Sequence, residues 1–238
     1  MKRRTLILSA LGAAGALQVG WALLPARSRL GTPSMMQLTE GDVALNGWIK
    51  ITGEGKVILA MPKSEMGQGV YTALSMMVAE ELDVPLSATQ LEQAGPSAIY
   101  GNVAMFVANS PFNPQESEGA QKPLKVRTGD WMLGKIAREL GLNITGGSSS
   151  VADAWEPLRQ AAAIARASLL ASAAAQWGVP VAELTVKAGV VSHASGKTGH
   201  YGVFAKGAAG LAPKDVALKD RKDWTIIGQS TPRVDIPA

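Results

Sequence analysis

Asn46-Gly47-Trp48-Ile49-Lys50-Ile51, Gly53-Glu54-Gly55 and Lys56-Val57-Ile58-Leu59-Ala60-Met61 follow one another closely, and their reading decides the fold. Two short β-rich runs flank a glycine-rich turn, which predicts a hairpin. At Pro62 the pattern changes. Ser64-Glu65-Met66-Gly67-Gln68-Gly69 is a glycine-punctuated loop, and the stretch from Val70 to Leu82 places Leu74, Met77, Val78 and Leu82 at helical spacing. Asp83-Val84-Pro85 ends that helix, and Thr89 to Ala94 reads as a further strand. Hairpin, loop, helix and strand in this order predict an α+β (or α/β) fold: mixed sheet segments with helices packed on them.

Outward from this block, residues Gly95 to Thr128 are rich in Pro, Asn and Gly and read as irregular. An irregular stretch of that length is functional or faces a partner. Asp130 to Leu140 is expected as a second helix, with Trp131, Ile136 and Leu140 on its buried side. A long Ala-rich helix is expected from Ala154 to Trp177, with Asp153 as its N-cap, Pro157 in its first turn and Gly178 and Pro180 as its stop. Glu183 to Val186 and Val190 to His193 form a second hairpin around Ala188-Gly189, and Gly202 to Ala209 a short helix. The tail after Pro213 is charged and extended. Core packing is the expected role of Trp48, Trp131, Trp155 and Trp177, and a structural role that of His193. Asp83, Glu92 and Asp153 are spaced too irregularly to argue a carboxylate pair.

The chain opens with a basic Lys2-Arg3-Arg4 and an apolar run from Leu6 to Leu24. This has the form of an export leader, and the Arg3-Arg4 pair suggests a twin-arginine signal. The run is also long enough for a membrane anchor. The expected layout is a signal or anchor helix over 1–26, a linker over 27–42, the main domain over 43–212 and an extended tail over 213–238. Location is expected in the periplasm, free or membrane-anchored.

The net charge of +4 includes Lys2, Arg3 and Arg4, so the body carries 4 − 3 = +1. A nearly neutral body without aromatic-interleaved basic runs argues against nucleic acid as a partner. There is no cysteine, which excludes disulfides, thiolate metal sites and iron–sulfur ligation within this chain. His193 and His200 are too few for a His-rich metal site. Redox chemistry would need a bound cofactor or a partner.

Two loops carry chemistry. In the first, Gly67 and Gly69 let the backbone approach a ligand without a Cβ, and Gln68 offers one acceptor and two donors while staying neutral. The helix behind it favours an electron-rich ligand. In the second, Thr145-Gly146-Gly147-Ser148-Ser149-Ser150 supplies free N–H groups and hydroxyls ahead of a helix, the chemistry of a phosphate or polar-heterocycle cradle. Neither ends as a P-loop, and neither fits the dinucleotide-binding glycine fingerprint. A plain turn for the first loop, and a flexible loop or helix cap for the second, are the alternative readings.

The blocks Asn46 to Ile49, Glu65-Met66-Gly67-Gln68-Gly69-Val70, Thr145 to Arg159 and Ile227 to Ala238 together resemble the molybdopterin-binding subunit of the xanthine dehydrogenase/aldehyde oxidase family, of the isoquinoline 1-oxidoreductase beta-subunit type. The resemblance implies a partial molybdopterin-binding domain. It implies that Gln68, between Gly67 and Gly69, hydrogen-bonds an oxygen on molybdenum. It implies that Thr145, Gly146, Gly147, Ser148, Ser149 and Ser150 contact the pyranopterin and its phosphate. The implied cofactor is molybdopterin with molybdenum, in the cytosine dinucleotide form, with no iron–sulfur centre or haem in this chain. The implied reaction hydroxylates aldehydes or N-heterocycles with oxygen from water. The implied partners are the remaining domains of the large subunit, a 2Fe-2S small subunit and a cytochrome c as electron acceptor.

The chain is expected to stop where the family's hammerhead domain would begin, and it shows no counterpart of the family's late catalytic Glu. No residue is therefore named catalytic. Glu65 is read as a solvated or locally bonded carboxylate, and Glu80 and Glu81 as helix surface. The alternatives are a non-catalytic exported binding or assembly module and a non-functional gene fragment.

Overall fold

The computed structural model describes residues 20, 21, 24, 27–117, 121–211 and 213–236. The leader expected over 1–26 lies outside these residues, apart from Gly20, Trp21 and Leu24. Among the described residues no helix is long and apolar enough to cross a membrane.

The fold is mixed α+β. Strands β1 (Val43–Ala44), β2 (Ile49–Ile51), β3 (Val57–Met61) and β4 (Thr89–Gln93) form one sheet in that order. The predicted hairpin is present, with Ile51 opposite Val57 and Ile49 opposite Leu59. Helix α1 (Val70–Leu82) carries the chain across to β4, which lies parallel to β3. Such a parallel pair needs a crossover, and the loop before α1 therefore leaves from the C-terminal end of β3, where open sheets commonly hold ligands. Asn46 explains the tight entry to β2. Its Oδ1 accepts from the Trp48 and Ile49 N–H groups at 2.9 and 3.0 Å, while its Nδ2 donates to the Ala161 carbonyl at 2.9 Å.

Helices α2 (Val103–Ala108), α3 (Pro114–Ser117) and α4 (Leu124–Leu140) follow, then α5 (Ser150–Trp177). The meander β5 (Leu184–Lys187), β6 (Val190–His193) and β7 (Thr198–His200) and helix α6 (Tyr201–Ala208) complete the fold. α5 runs through the middle. Ala161, Ala162, Ala165 and Ala173 on it are fully buried, and these small side chains let α1 and α6 pack closely on it. Ala188 and Gly189, with φ of 52° and 75°, make the left-handed turn that the second hairpin requires.

Several expectations are corrected. The stretch Gly95 to Thr128 is not all irregular, since it holds α2, α3 and the first turn of α4. Trp131, Ile136 and Leu140 do not face the core; they are 48%, 40% and 57% exposed. α4 turns Val126 and Ala137 inward instead, and a Cβ built on Gly134 would lie 3.7 Å from Val103, so the small-residue face meets α2. Periodicity found a stripe on this helix but could not say that the smaller one packs more closely.

Asp153 is not an N-cap, because α5 begins at Ser150 with Ser149 in that position. Pro157 consequently lies in the helix body, where it leaves the Asp153 carbonyl without its i+4 donor. Arg29 Nη1 fills that vacancy at 3.1 Å.

Glu80 and Glu81 are not helix surface. Both are buried, and both hold the tail. Glu80 accepts the Thr225, Ile226 and Ile227 N–H groups. Glu81 pairs with Arg159, whose guanidinium lies between the rings of Trp155 and Trp224. Burial alone would raise the Glu80 carboxyl. The three N–H bonds and the Lys219 ammonium outweigh it and hold the carboxyl below its ordinary value.

Candidate functional site

The loop between β3 and α1 is stiffened by its own carboxylate. Glu65 accepts the N–H groups of Gly67 and Gly69 through Oε1 at 2.9 and 2.8 Å, and that of Tyr71 through Oε2 at 3.1 Å. Arg233 stands 3.1 Å from the same carboxylate and donates to the Gly67 carbonyl at 3.0 Å. Desolvation would raise the Glu65 carboxyl, but the Tyr71, Gly69 and Gly67 N–H groups and the Arg233 charge hold it below its ordinary value. The start of α1 is thus occupied from within. Gln68 also bonds within the loop: its Nε2 donates to the Ser64 carbonyl at 2.9 Å, and its Oε1 accepts the Met66 N–H at 2.5 Å.

Gly67 and Gly69 have φ of 95° and 80°, the left-handed region that disfavours a side chain. A Cβ built on either would meet no heavy atom within 4 Å, and the same holds for Gly146. These glycines are not demanded by packing against the chain itself. Their outer faces are open.

The loop before α5 lies beside the first one. The Ser64 N–H donates to Thr145 Oγ1 at 2.9 Å across 81 positions of sequence. Gly147 and Ser148 turn the chain with φ of 58° and 51°. Ser149 faces inward; its hydroxyl donates to the Gly146 carbonyl at 2.7 Å and accepts Asn102 Nδ2 at 2.8 Å. The N-cap side chain makes no bond to the first turn of α5, and while the Ser149 N–H reaches the Gly146 carbonyl at 3.3 Å, those of Ser150, Val151 and Ala152 have no acceptor among the described residues.

Together the loops line one cavity of about 540 Å³. Gln68 and Gly69 come from the first loop, and Thr145, Gly146, Gly147, Ser148 and Ser150 from the second, with Val70, Ala73 and Val151 as apolar wall. Gly67 and Ser149 do not line it. A neighbouring cavity of about 330 Å³ shares Gly147 and Ser148 and adds Ser149 and Lys122.

Behind the cavity sits a buried charge cluster that sequence reasoning missed. Arg29 binds Asp153 through Nη1 to Oδ1 at 3.0 Å and Nη2 to Oδ2 at 2.8 Å, and caps the Ile99 and Gly101 carbonyls at 2.9 Å each. Asp153 Oδ1 also accepts the Val103 N–H at 2.8 Å. Lys63, next to Ser64, is buried 3.8 Å from Asp153 Oδ2 and reaches the Tyr100 and Ile144 carbonyls and Asn143 Oδ1 at 3.4 Å. Burial lowers its basicity; Asp153 opposes the shift and Arg29 adds to it. The cluster ties the end of β3, the turn at 99–104, the loop before Thr145 and α5 together, and so sets the spacing of the two loops. Pro157, four positions after Asp153, was the available signal, since it announces a helix carbonyl that needs another donor.

The family of the molybdopterin cofactor-binding domain matches residues 7–102, a span that includes the Gln68 loop. The chain is 30% identical over 231 residues to the beta subunit of isoquinoline 1-oxidoreductase from Brevundimonas diminuta, covering 82% of this chain and 25% of that protein. The chain is homologous to the molybdopterin-binding subunits of the xanthine dehydrogenase family. A nicotinate dehydrogenase subunit of Pseudomonas putida is 26% identical over 200 residues, covering 83% of this chain and 13% of that protein. The chain thus spans a quarter or less of the length of these two relatives. The solved Cu,Mo-CO dehydrogenase aligns with a TM-score of 0.40 at 19% identity, over 66% of this chain and 15% of its own.

Proposed function

We propose that the cavity between residues 64–69 and 145–151 holds the pterin and phosphate of a molybdopterin cofactor, and that the chain brings these contacts to a molybdenum hydroxylase acting on aldehydes or N-heterocycles. The observation that carries this reading is the shared cavity: two loops far apart in sequence face one space, joined by the Ser64 to Thr145 bond. The residues suit such a group. Open glycine faces admit a flat ring system, the hydroxyls of Thr145, Ser148 and Ser150 suit polar edges, and the uncapped start of α5 suits a phosphate. When bound, the group supplies the metal at which carbon is hydroxylated with oxygen from water. Gln68 would then exchange its bonds to Ser64 and Met66 for an atom of the ligand. The adjoining 330 Å³ cavity gives room for the nucleotide of the cytosine dinucleotide form.

Electrons would leave through a partner, because the chain has no cysteine to ligate a cluster. The 2Fe-2S small subunit and a cytochrome c fit that need, alongside further domains of a large subunit. Export to the periplasm, with or without a retained anchor, rests on the Arg3-Arg4 leader. The bonds that Gln68 makes within its own loop favour a second reading, an exported module that keeps the loops as structure only.

Gly146→Val separates the two readings. Nothing lies within 4 Å of a Cβ at this position, so the fold keeps its melting temperature while the cavity is filled. The chain is co-produced with its partner subunits and a molybdenum cofactor supply, then assayed for metal and for the fluorescence of oxidised pterin. The cofactor reading expects both in the wild type and a loss of about tenfold or more in the variant, the scale of removing uniform binding contacts. Equal pterin in the two proteins would defeat it.

A further inference from the structure

A second cavity, of about 620 Å³, lies along another side of α5. Its floor is the turn-by-turn series Ala152, Glu156, Gln160 and Ile164, which helical spacing places on one stripe of α5. Residues 27–30 and helix α2 form its walls, and Leu30, Val103 and Val107 make them largely apolar. Most polar groups in the lining are already used. Asp153 is held by Arg29 and the Val103 N–H, and Gln160 Nε2 donates to the Val216 carbonyl at 3.0 Å. Arg27 is exposed and stands 3.8 Å from Glu139.

Arg138 is the exception. It enters the lining from the last turn of α4, is only partly exposed, and makes no hydrogen bond or ion pair among the described residues. Burial lowers its basicity, and the nearby Arg29 lowers it further, against the opposing pull of Asp153 and Glu139. Its place at a helix C-terminus favours a positive charge but occupies none of its five N–H donors. A half-buried guanidinium with every donor unspent, set at the side of an apolar cavity, is the arrangement that binds a carboxylate in a fork.

We propose that this cavity binds a small organic monocarboxylate, with Arg138 as its counter-ion and the apolar walls around its ring or chain. One unpaired positive charge matches one negative charge. Glu156, exposed in the lining, disfavours a doubly charged phosphate ester. Its lining shares no residue with the cavity between the two loops, and it meets the 330 Å³ cavity at Ala104, Val107 and Ala152.

Titration of the full chain with benzoate and with benzamide, its neutral counterpart of similar shape, tests this by calorimetry or by ligand-observed NMR. The wild type binds benzoate about tenfold or more tightly than benzamide, the discrimination expected of a charge-assisted fork. Arg138→Gln abolishes that preference and keeps its fold, because no partner among the described residues is lost. Arg138→Lys retains part of the preference, and Arg27→Gln leaves it whole. Benzoate binding unchanged in Arg138→Gln, no preference for benzoate in the wild type, or no binding by the folded wild type would each overturn the proposal. Any of these results leaves the Gly146→Val experiment unaffected.

Discussion

The starts of α1 and α5 look alike in sequence and differ in structure. Each follows a glycine-rich loop, and each borders the same cavity. At α1 two of the end N–H groups, those of Gly69 and Tyr71, are taken by Glu65, whose negative charge also answers the helix dipole. At α5 the carboxylate that could do the same, Asp153, is turned away into the Arg29 and Lys63 cluster, and Ser149 bonds its own loop. One helix end carries a carboxylate and the other does not, so α5 is the end better suited to an anion. A glycine loop before a helix is therefore not by itself an anion site; what matters is whether a local carboxylate has already occupied it.

The largest effect is expected from removing what keeps α5 open. Asp153→Ala strands the buried Arg29 and Lys63 charges, and breaking a buried pair from one side costs about 3–5 kcal/mol. Urea unfolding reads this directly, and a variant as stable as the wild type would mean that the cluster does not set the loop spacing.

Glu80→Gln comes next. It weakens three charge-assisted bonds to the tail, for about 1.5–3 kcal/mol. The pH dependence has a definite sign. The folded carboxyl lies below its ordinary 4.5. The stabilisation is therefore complete above pH 4.5, and it is lost as pH falls through the folded value. The difference in melting temperature between wild type and variant should be full at pH 7 and shrink in acid. A constant difference would show that the carboxylate charge is not what holds residues 225–227.

The smallest effect is expected at Glu65, where Gln substitution removes the negative charge and one acceptor at the start of α1. Melting should fall slightly at pH 7, and sulfate should restore it more in the variant than in the wild type, because an anion can then occupy the vacated end. Equal sulfate responses would remove the contrast between the two helix ends.

Much of the fold was legible because it is local. The 49–61 hairpin, α1 and the turn at Ala188-Gly189 follow from alternation, helical spacing and left-handed turn residues. The two candidate loops were legible for the same reason, since glycine and hydroxyl content marks them wherever they sit. The rest depends on distant neighbours. Trp131, Ile136 and Leu140 form a good apolar stripe, yet α2 chose the other face of α4, the one with Gly134 and Ala137. Glu80 and Glu81 look like surface until the tail arrives 145 and 138 positions later. Arg29 stood in what read as a linker, and its role appears only beside Asp153, 124 positions on.

By itself the sequence determined most of the strands, the helices outside residues 95–128 and the glycine loops, because those choices depend on neighbours a few residues away. Only the tertiary structure decided that Ser64 meets Thr145, that Glu65 bonds one helix end while Asp153 is turned away from the other, and that Arg138 stands beside a cavity with no partner among the described residues. Those outcomes turn on which buried charge finds which partner across the chain, and the energy of a charge in a low-dielectric interior is set by contacts that linear order does not encode.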